Sequence, residues 1–122
     1  MTAAAAGLRI AYRAVGYRRV IQLDGHLESA TVGMLGHAFW DAVECGARQI
    51  WLDLSGVADI DEAGVQAVCA LGPAAHELER SVLLVCARGP VRSALAEHAL
   101  DEKLPMFPTL SAAHYEHPPP EA

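Results

Sequence analysis

A chain of 122 residues has room for one domain, and its core must be built mainly from aliphatic side chains, because 52% of the residues are hydrophobic but only 6% are aromatic. The net charge is −6 and no basic cluster is larger than Arg18-Arg19, which argues against nucleic acid as a partner. Residues 1–7 lack a basic region and a long apolar run, so we expect a flexible N-terminus, a cytoplasmic location and no direct membrane insertion.

The first half of the chain predicts a hairpin, a helix and a central strand. In chain order these are strands over 8–13 and 19–24, a helix capped by Ser29 or Thr31 and ended by Cys45-Gly46, and a strand over 49–54. The last of these is apolar along nearly its whole length, which is typical of a strand covered on both faces.

The second half predicts a crossover helix, another buried strand and shorter elements. They are a helix over 62–79 with a kink or restart at Gly72-Pro73, a strand over 81–86, a helix beginning at Gly89-Pro90, an extended segment over 104–108 and a last helical turn from Thr109. We therefore expect an α/β fold with a mixed sheet of four or five strands and about four helices, mostly on one side. The domain is predicted to span residues 8–114, followed by a disordered, proline-rich tail over 115–122.

The cysteines and histidines do not indicate a metal site or a catalytic site. Cys45, Cys69 and Cys86 lack CxxC spacing, so we expect buried free thiols, although a redox pair that meets in space stays open. The six histidines form no zinc pattern, and no hydrolase, Walker or dinucleotide motif occurs. We expect no metal, no cofactor and no enzymatic activity.

The most informative segment is the transition from the central strand into the second helix. Asp61 is the predicted N-cap, Glu62 lies in the first turn, and Gly64 permits close approach of a neighbouring backbone. The free amides and dipole of a helix N-terminus favour negative charge, so a hydroxyl there would be a natural phosphorylation position. Helix capping alone would also explain the two acidic residues.

Four segments in this order resemble STAS domains, specifically bacterial anti-sigma factor antagonists. They are Gly25-His26-Leu27-Glu28, Leu52-Asp53-Leu54-Ser55-Gly56-Val57, Asp61-Glu62-Ala63-Gly64 and Leu104-Pro105-Met106-Phe107-Pro108. The resemblance implies a STAS-like fold and a regulatory protein whose partner is a serine kinase-like anti-sigma factor. It also implies that a serine phosphorylated by that partner belongs where this chain has Glu62.

Two departures from the family pattern decide the functional interpretation. Glu28 replaces the usual Asp, and Glu62 replaces the phosphoacceptor, while Ala63 supplies no hydroxyl in its place. Phosphorylation at this position is therefore not expected. Glu62 either imitates phosphoserine and keeps the protein in the non-binding state, or leaves binding constitutive; we favour the second.

The residues predicted to contact the partner form one acidic docking face. They are Glu28, Ser55, Asp59, Asp61, Glu62, Ala63 and Gly64. STAS domains also occur beside anion transporters and as partners of lipid-transport permeases, so regulation of a membrane transporter or binding of a small ligand is the alternative. The sequence leaves the oligomeric state open, a dimer included.

Overall fold

The computed structural model describes residues 2–5, 7–87 and 89–118. Its elements, in chain order, are β1 (Thr2–Ala5), β2 (Leu8–Val15), β3 (Arg18–Leu27), α1 (Val32–Glu44), β4 (Gln49–Ile60), α2 (Glu62–Glu77), β5 (Ser81–Val85), α3 (Pro90–Ala96), α4 (Leu100–Lys103), β6 (Met106–Phe107) and α5 (Leu110–Glu116). Within these described ranges no helix is both long enough and apolar enough to cross a bilayer.

The strands form one mixed sheet in the order β1-β2-β3-β4-β5-β6. β1, β2 and β3 pair antiparallel, whereas β3, β4, β5 and β6 pair parallel. The α/β prediction is confirmed. The described sheet has one strand more than the upper expectation, since Thr2–Ala5 pairs with β2 where we expected a flexible N-terminus over 1–7.

The two faces of the sheet are covered unequally. Ile50, Leu52 and Leu54 of β4 point into the larger core cluster, which contains buried residues of α1, α2, α3 and α4. Trp51 of the same strand points to the opposite face, where it packs in a smaller cluster with residues of α5. Because successive side chains of β4 point to opposite faces of the sheet, this strand contributes to both core clusters. The helices lie mostly on one side of the sheet, as predicted.

On the second face, a buried cation contacts Pro118, the last residue that the structure describes. Arg18 is only 2% exposed, its guanidinium lies 3.9 Å from the ring centroid of Trp51, and its Nη2 donates to the carbonyl oxygen of Pro118 at 3.0 Å. His114 lies against the same tryptophan, with ring centroids 4.8 Å apart. The tail predicted for 115–122 therefore begins later than expected, because α5 continues to Glu116; residues 119–122 lie outside the described part of the chain.

Three local predictions differ from the structure. α2 runs unbroken through Pro73, because the lost amide donor is offset by burial of the apolar side chains on both sides of it, such as Leu71 and Ala75. Thr31 occupies the N-cap position of α1 but makes no side-chain capping bond to the helix. Of the three free cysteines only Cys86 is buried; Cys69 is partly exposed and Cys45 is exposed.

Candidate docking site

The parallel pairing of β3 and β4 brings the acidic residues of the predicted docking face together. Leu27 pairs with Ile60 at the carboxyl ends of the two strands, and the amide of Asp61 donates to the carbonyl oxygen of Leu27 at 3.2 Å. The amide of Ser29 in turn donates to Oδ2 of Asp61 at 3.3 Å. The carboxyl ends of these two central strands and the residues that follow them therefore carry Glu28, Asp59, Asp61 and Glu62. We call this surface the acidic edge.

Asp61 caps α2, as predicted. Its backbone is extended, with φ −100° and ψ −177°, and its Oδ1 accepts from the amide of Gly64 at 2.8 Å. A carboxyl oxygen at this position satisfies one otherwise unpaired amide at the positive end of the helix dipole. The same carboxylate joins the loop after β3 to the start of α2, so it fixes the geometry of the acidic edge.

Gly64 is buried where α2 crosses the ends of both strands. A Cβ atom built on it would lie 2.7 Å from Cγ1 of Ile60 and still closer to the carbonyl oxygen of Leu27. Only glycine lets the first turn of α2 approach the sheet so closely. Gly64 therefore positions the acidic edge by letting α2 pack closely against the sheet. Because it is buried, it does not form part of the surface of the acidic edge.

Glu62 projects from the first turn with its side chain 68% exposed. Its Oε1 accepts from Nε2 of Gln66 at 3.1 Å and lies 3.3 Å from Nε2 of His98. The hydrogen bond from Gln66, followed by the interactions with His98, lowers the pKa of the Glu62 carboxyl. Glu62 is thus ionised at neutral pH and is held along the outer face of α2 toward α3.

A second histidine pair lies on the acidic edge. Nδ1 of His26 is 2.6 Å from Oδ1 of Asp59, and both side chains are at least half exposed. The hydrogen bond to Asp59, together with the charge of that carboxylate, raises the pKa of His26. The pair shows that the edge is not uniformly negative, since a titratable cation lies beside one of its carboxylates.

The buried side chain of Thr31 stabilises the loop between β3 and α1 through hydrogen bonds to its backbone. Its hydroxyl donates to the carbonyl oxygen of His26 at 2.8 Å and accepts from the amide of Glu28 at 3.0 Å, and the residue is fully buried. This use of the hydroxyl explains why Thr31 makes no capping bond to α1. It orders the backbone at Glu28, whose side chain is half-buried.

Ser55 lies apart from the acidic edge. β4 continues to Ile60 and does not end at Leu54 as predicted, because it keeps pairing with β3 through two register shifts. Ser55 is therefore about 16 Å along the strand from Ile60, from the usual rise per residue. Its amide donates to Oδ1 of Asp53 at 2.9 Å, and it borders a small cavity beside the start of α3.

Four residues shape the acidic edge in ways that the sequence did not predict, although Thr31 was a candidate helix cap: His26, Thr31, Gln66 and His98. Gln66 follows Glu62 by four positions on one helix, a spacing that could have been recognised. The contacts of His26 and His98 join residues that are more than thirty positions apart in sequence, so no local pattern indicates them.

Comparison with known proteins places this geometry in a family and a fold. A family model described as "Mlab, STAS domain" matches residues 10–108. No match is found among curated proteins. An anti-sigma factor antagonist from Mycobacterium paratuberculosis is similar in structure, with a TM-score of 0.77 and 20% identity over 89% of this chain and 92% of that chain.

Two further solved structures show the range of proteins with this fold. Unphosphorylated SpoIIAA, a cell fate determinant of Bacillus, has a TM-score of 0.71 and 18% identity over 88% of this chain and 95% of that chain. A sulfate transporter family protein from Wolinella succinogenes has a TM-score of 0.73 and 18% identity over 85% and 88%. With its STAS fold and a family match over most of its length, the chain belongs to the STAS domain family.

Proposed function

We propose that this protein is a non-enzymatic regulatory module that binds a serine kinase-like anti-sigma factor through the acidic edge and the adjoining Ala63. The structural likeness to anti-sigma factor antagonists supports the proposal at the level of the fold. The acidic edge supports it chemically, because exposed carboxylates on a rigid strand-to-helix junction suit recognition by a partner with complementary basic charge.

The observation that carries the proposal is the position of Glu62 in the first turn of α2. In the resemblance described above, this position belongs to a phosphorylated serine. Glu62 offers no hydroxyl, and its carboxyl is ionised at neutral pH, since its pKa is lowered from an ordinary value that is already acidic. The proposed module therefore carries a fixed charge at the place where the family resemblance implies a phosphorylated serine.

We further propose that Glu62 leaves partner binding constitutive. A phosphate on a serine in the first turn would be expected to meet the free amides of the helix N-terminus. The Glu62 carboxylate instead contacts the side chains of Gln66 and His98. It also has about half the charge of a phosphate. Both differences make it a poor imitation of phosphoserine.

Regulation of a membrane transporter is the second candidate, favoured by the fold similarity to the sulfate transporter family protein and by the family match. The two candidates predict different partners for the same cytoplasmic module. Purification of the tagged protein from native cell extract, followed by mass spectrometry, separates them: recovery of an anti-sigma kinase supports the first candidate, and recovery of a permease alone contradicts it.

Charge reversal on α2 tests whether the acidic edge makes the contact. Glu62→Arg should abolish recovery of the partner, because it reverses a charge at the centre of the proposed interface. Glu77→Arg is the matched control, since Glu77 is also an exposed acid on α2 but lies at its far end. Equal loss with both variants would mean that overall charge, and not the acidic edge, governs binding.

A further inference from the structure

A cavity of about 520 Å³ lies on the helical side of the sheet, between α2, α4 and the start of β5. It is remote in the fold from Asp61 at the opposite end of α2, since it is lined by Pro73 and His76 near the C-terminal end of that helix. Its volume is within the range of small-molecule sites, about 300 to 1,000 Å³. None of the residues in the proposed docking face lines it.

The described charged side chains that line this cavity are basic, although the protein as a whole is acidic. Among the residues whose side chains are described, Arg80 and Lys103 line it together with His76, and no carboxylate does. Neither Arg80 nor Lys103 has an ion-pair partner within the described side chains. Two cations beside one cavity, neither with an ion-pair partner among the described side chains, create a local site for an anion in a chain of net charge −6.

Arg80 has donors left over after its contacts within the protein. Its Nη1 donates to the carbonyl oxygen of Leu78 at 3.2 Å, which fixes the direction of the guanidinium. Its Nε is buried and has no acceptor among the described residues. The buried Nε is not accessible to a ligand, but Nη2 makes no hydrogen bond to the described residues and is not among the buried atoms, so its donors can meet an anion.

Apolar side chains also line the cavity, beside the polar Ser81. They belong to Pro73 of α2, Val82 of β5, Leu100 of α4 and Leu104 just after it. A fully polar anion such as free phosphate would leave this surface unused. A molecule with one anionic head and an apolar body could contact both the basic and the apolar side chains of the lining.

We propose that this cavity binds a small amphipathic organic anion, with its head group on Arg80 and Lys103 and its apolar body against Val82, Leu100 and Leu104. The recognised chemistry is a carboxylate, sulfonate or phosphate monoester joined to a hydrocarbon or aromatic group. Binding here is independent of the proposed partner surface, so either proposal can fail without the other.

The test uses 8-anilinonaphthalene-1-sulfonate, a fluorescent amphipathic anion, with octanoate and octyl phosphate as competitors and octanol as the neutral analogue. We expect saturable binding with one site, competition by both anions and none by octanol at equal concentration. Amide chemical-shift changes in a ¹⁵N-labelled sample should map to the cavity, at residues such as Gly72 and Leu104. Competition by only one of the two anions would identify the head group that the site accepts.

Two variants test whether ligand binding requires the positive charges of Arg80 and Lys103. Arg80→Gln and Lys103→Gln should each weaken binding about tenfold, which is the factor equivalent to about 1.4 kcal/mol. Arg48→Gln is the matched control, because Arg48 is exposed and outside the cavity. Lys103 is also exposed, so its variant keeps the test valid even if Arg80→Gln is unstable.

If the probe binds, three results would overturn the proposal. They are equal affinity of the two cavity variants and wild type, equally effective competition by octanol, and chemical-shift changes that map instead to the groove beside Arg19 and α1. Absence of saturable binding by all three anions would overturn it as well.

Discussion

Replacing Gly64 by alanine tests how the acidic edge is positioned, because two opposite effects act at this residue. In a helix interior alanine is favoured over glycine by about 1 kcal/mol. Against this, the new methyl group would lie 2.7 Å from Cγ1 of Ile60 and closer still to the carbonyl oxygen of Leu27. The oxygen belongs to the backbone of β3 and cannot rotate away, so the helix or the strand must shift.

At Gly64 the steric cost of the new methyl group should exceed the gain in helix propensity. Overpacking of this kind costs about 1 to 3 kcal/mol, and contact with a backbone atom places Gly64→Ala at the upper end of that range. Subtracting the helix propensity leaves an expected loss of about 1 to 2 kcal/mol in the free energy of unfolding. Gly36→Ala is the matched control, because Gly36 lies inside α1 and a Cβ there meets no atom within 4 Å. That variant should gain about 0.5 to 1 kcal/mol.

Urea unfolding followed by circular dichroism gives both free energies, provided that the dependence on urea concentration is unchanged between variants. We expect the change in the free energy of unfolding to have opposite signs in the two alanine variants. If Gly64→Ala stabilises the protein as much as Gly36→Ala does, α2 does not approach the sheet as closely as described, and the account of Gly64 is wrong.

Three further predictions concern the cap, a histidine and the thiols. Asp61→Ala should lower the free energy of unfolding by about 1 kcal/mol and Asp61→Asn by less, since asparagine keeps the capping oxygen; equal losses in urea unfolding would contradict the capping role. Burial, followed by the charges of Arg18 and Arg13, lowers the pKa of His114 from its ordinary 6.5, so the unfolded chain binds this proton first on acidification. Stability should therefore fall as the pH drops from about 6.5 toward the lowered pKa, and the His114→Gln variant should lack this component in urea unfolding at several pH values. With a chromogenic disulfide reagent, exposed Cys45 should react in the native state, whereas Cys86, whose pKa is raised by burial, should react only after unfolding; equal native rates would refute this difference.

The order of the larger elements could be predicted because hydrophobic periodicity is a local signal. The continuous apolar run around Leu52 indicated a strand buried on both faces, and the structure buries all of Ile50–Leu54. The extension of β4 to Ile60 could not be predicted, since Ser55-Gly56 has the composition of a turn. Pairing with β3, which is distant in sequence, keeps that segment in the sheet.

The candidate site was predictable where its geometry is local. The Asp61 cap and the close approach at Gly64 follow from residue types at the start of one helix, and both are present. The contacts of Glu62 with His98 and of His26 with Asp59 depend on how separate elements pack. Thr31 illustrates the same limit, because its capping role was replaced by bonds to the loop that precedes α1.

The central claim is that Glu62 leaves partner binding constitutive. It is tested most directly by the affinities of the wild type and Glu62→Ser for the anti-sigma kinase recovered from the native extract, measured by calorimetry without ATP so that the serine stays unmodified. The account predicts dissociation constants within about tenfold of each other, a difference below about 1.4 kcal/mol. Binding of the serine variant that is tighter by about a hundredfold or more would show that Glu62 imitates phosphoserine, and would contradict the account.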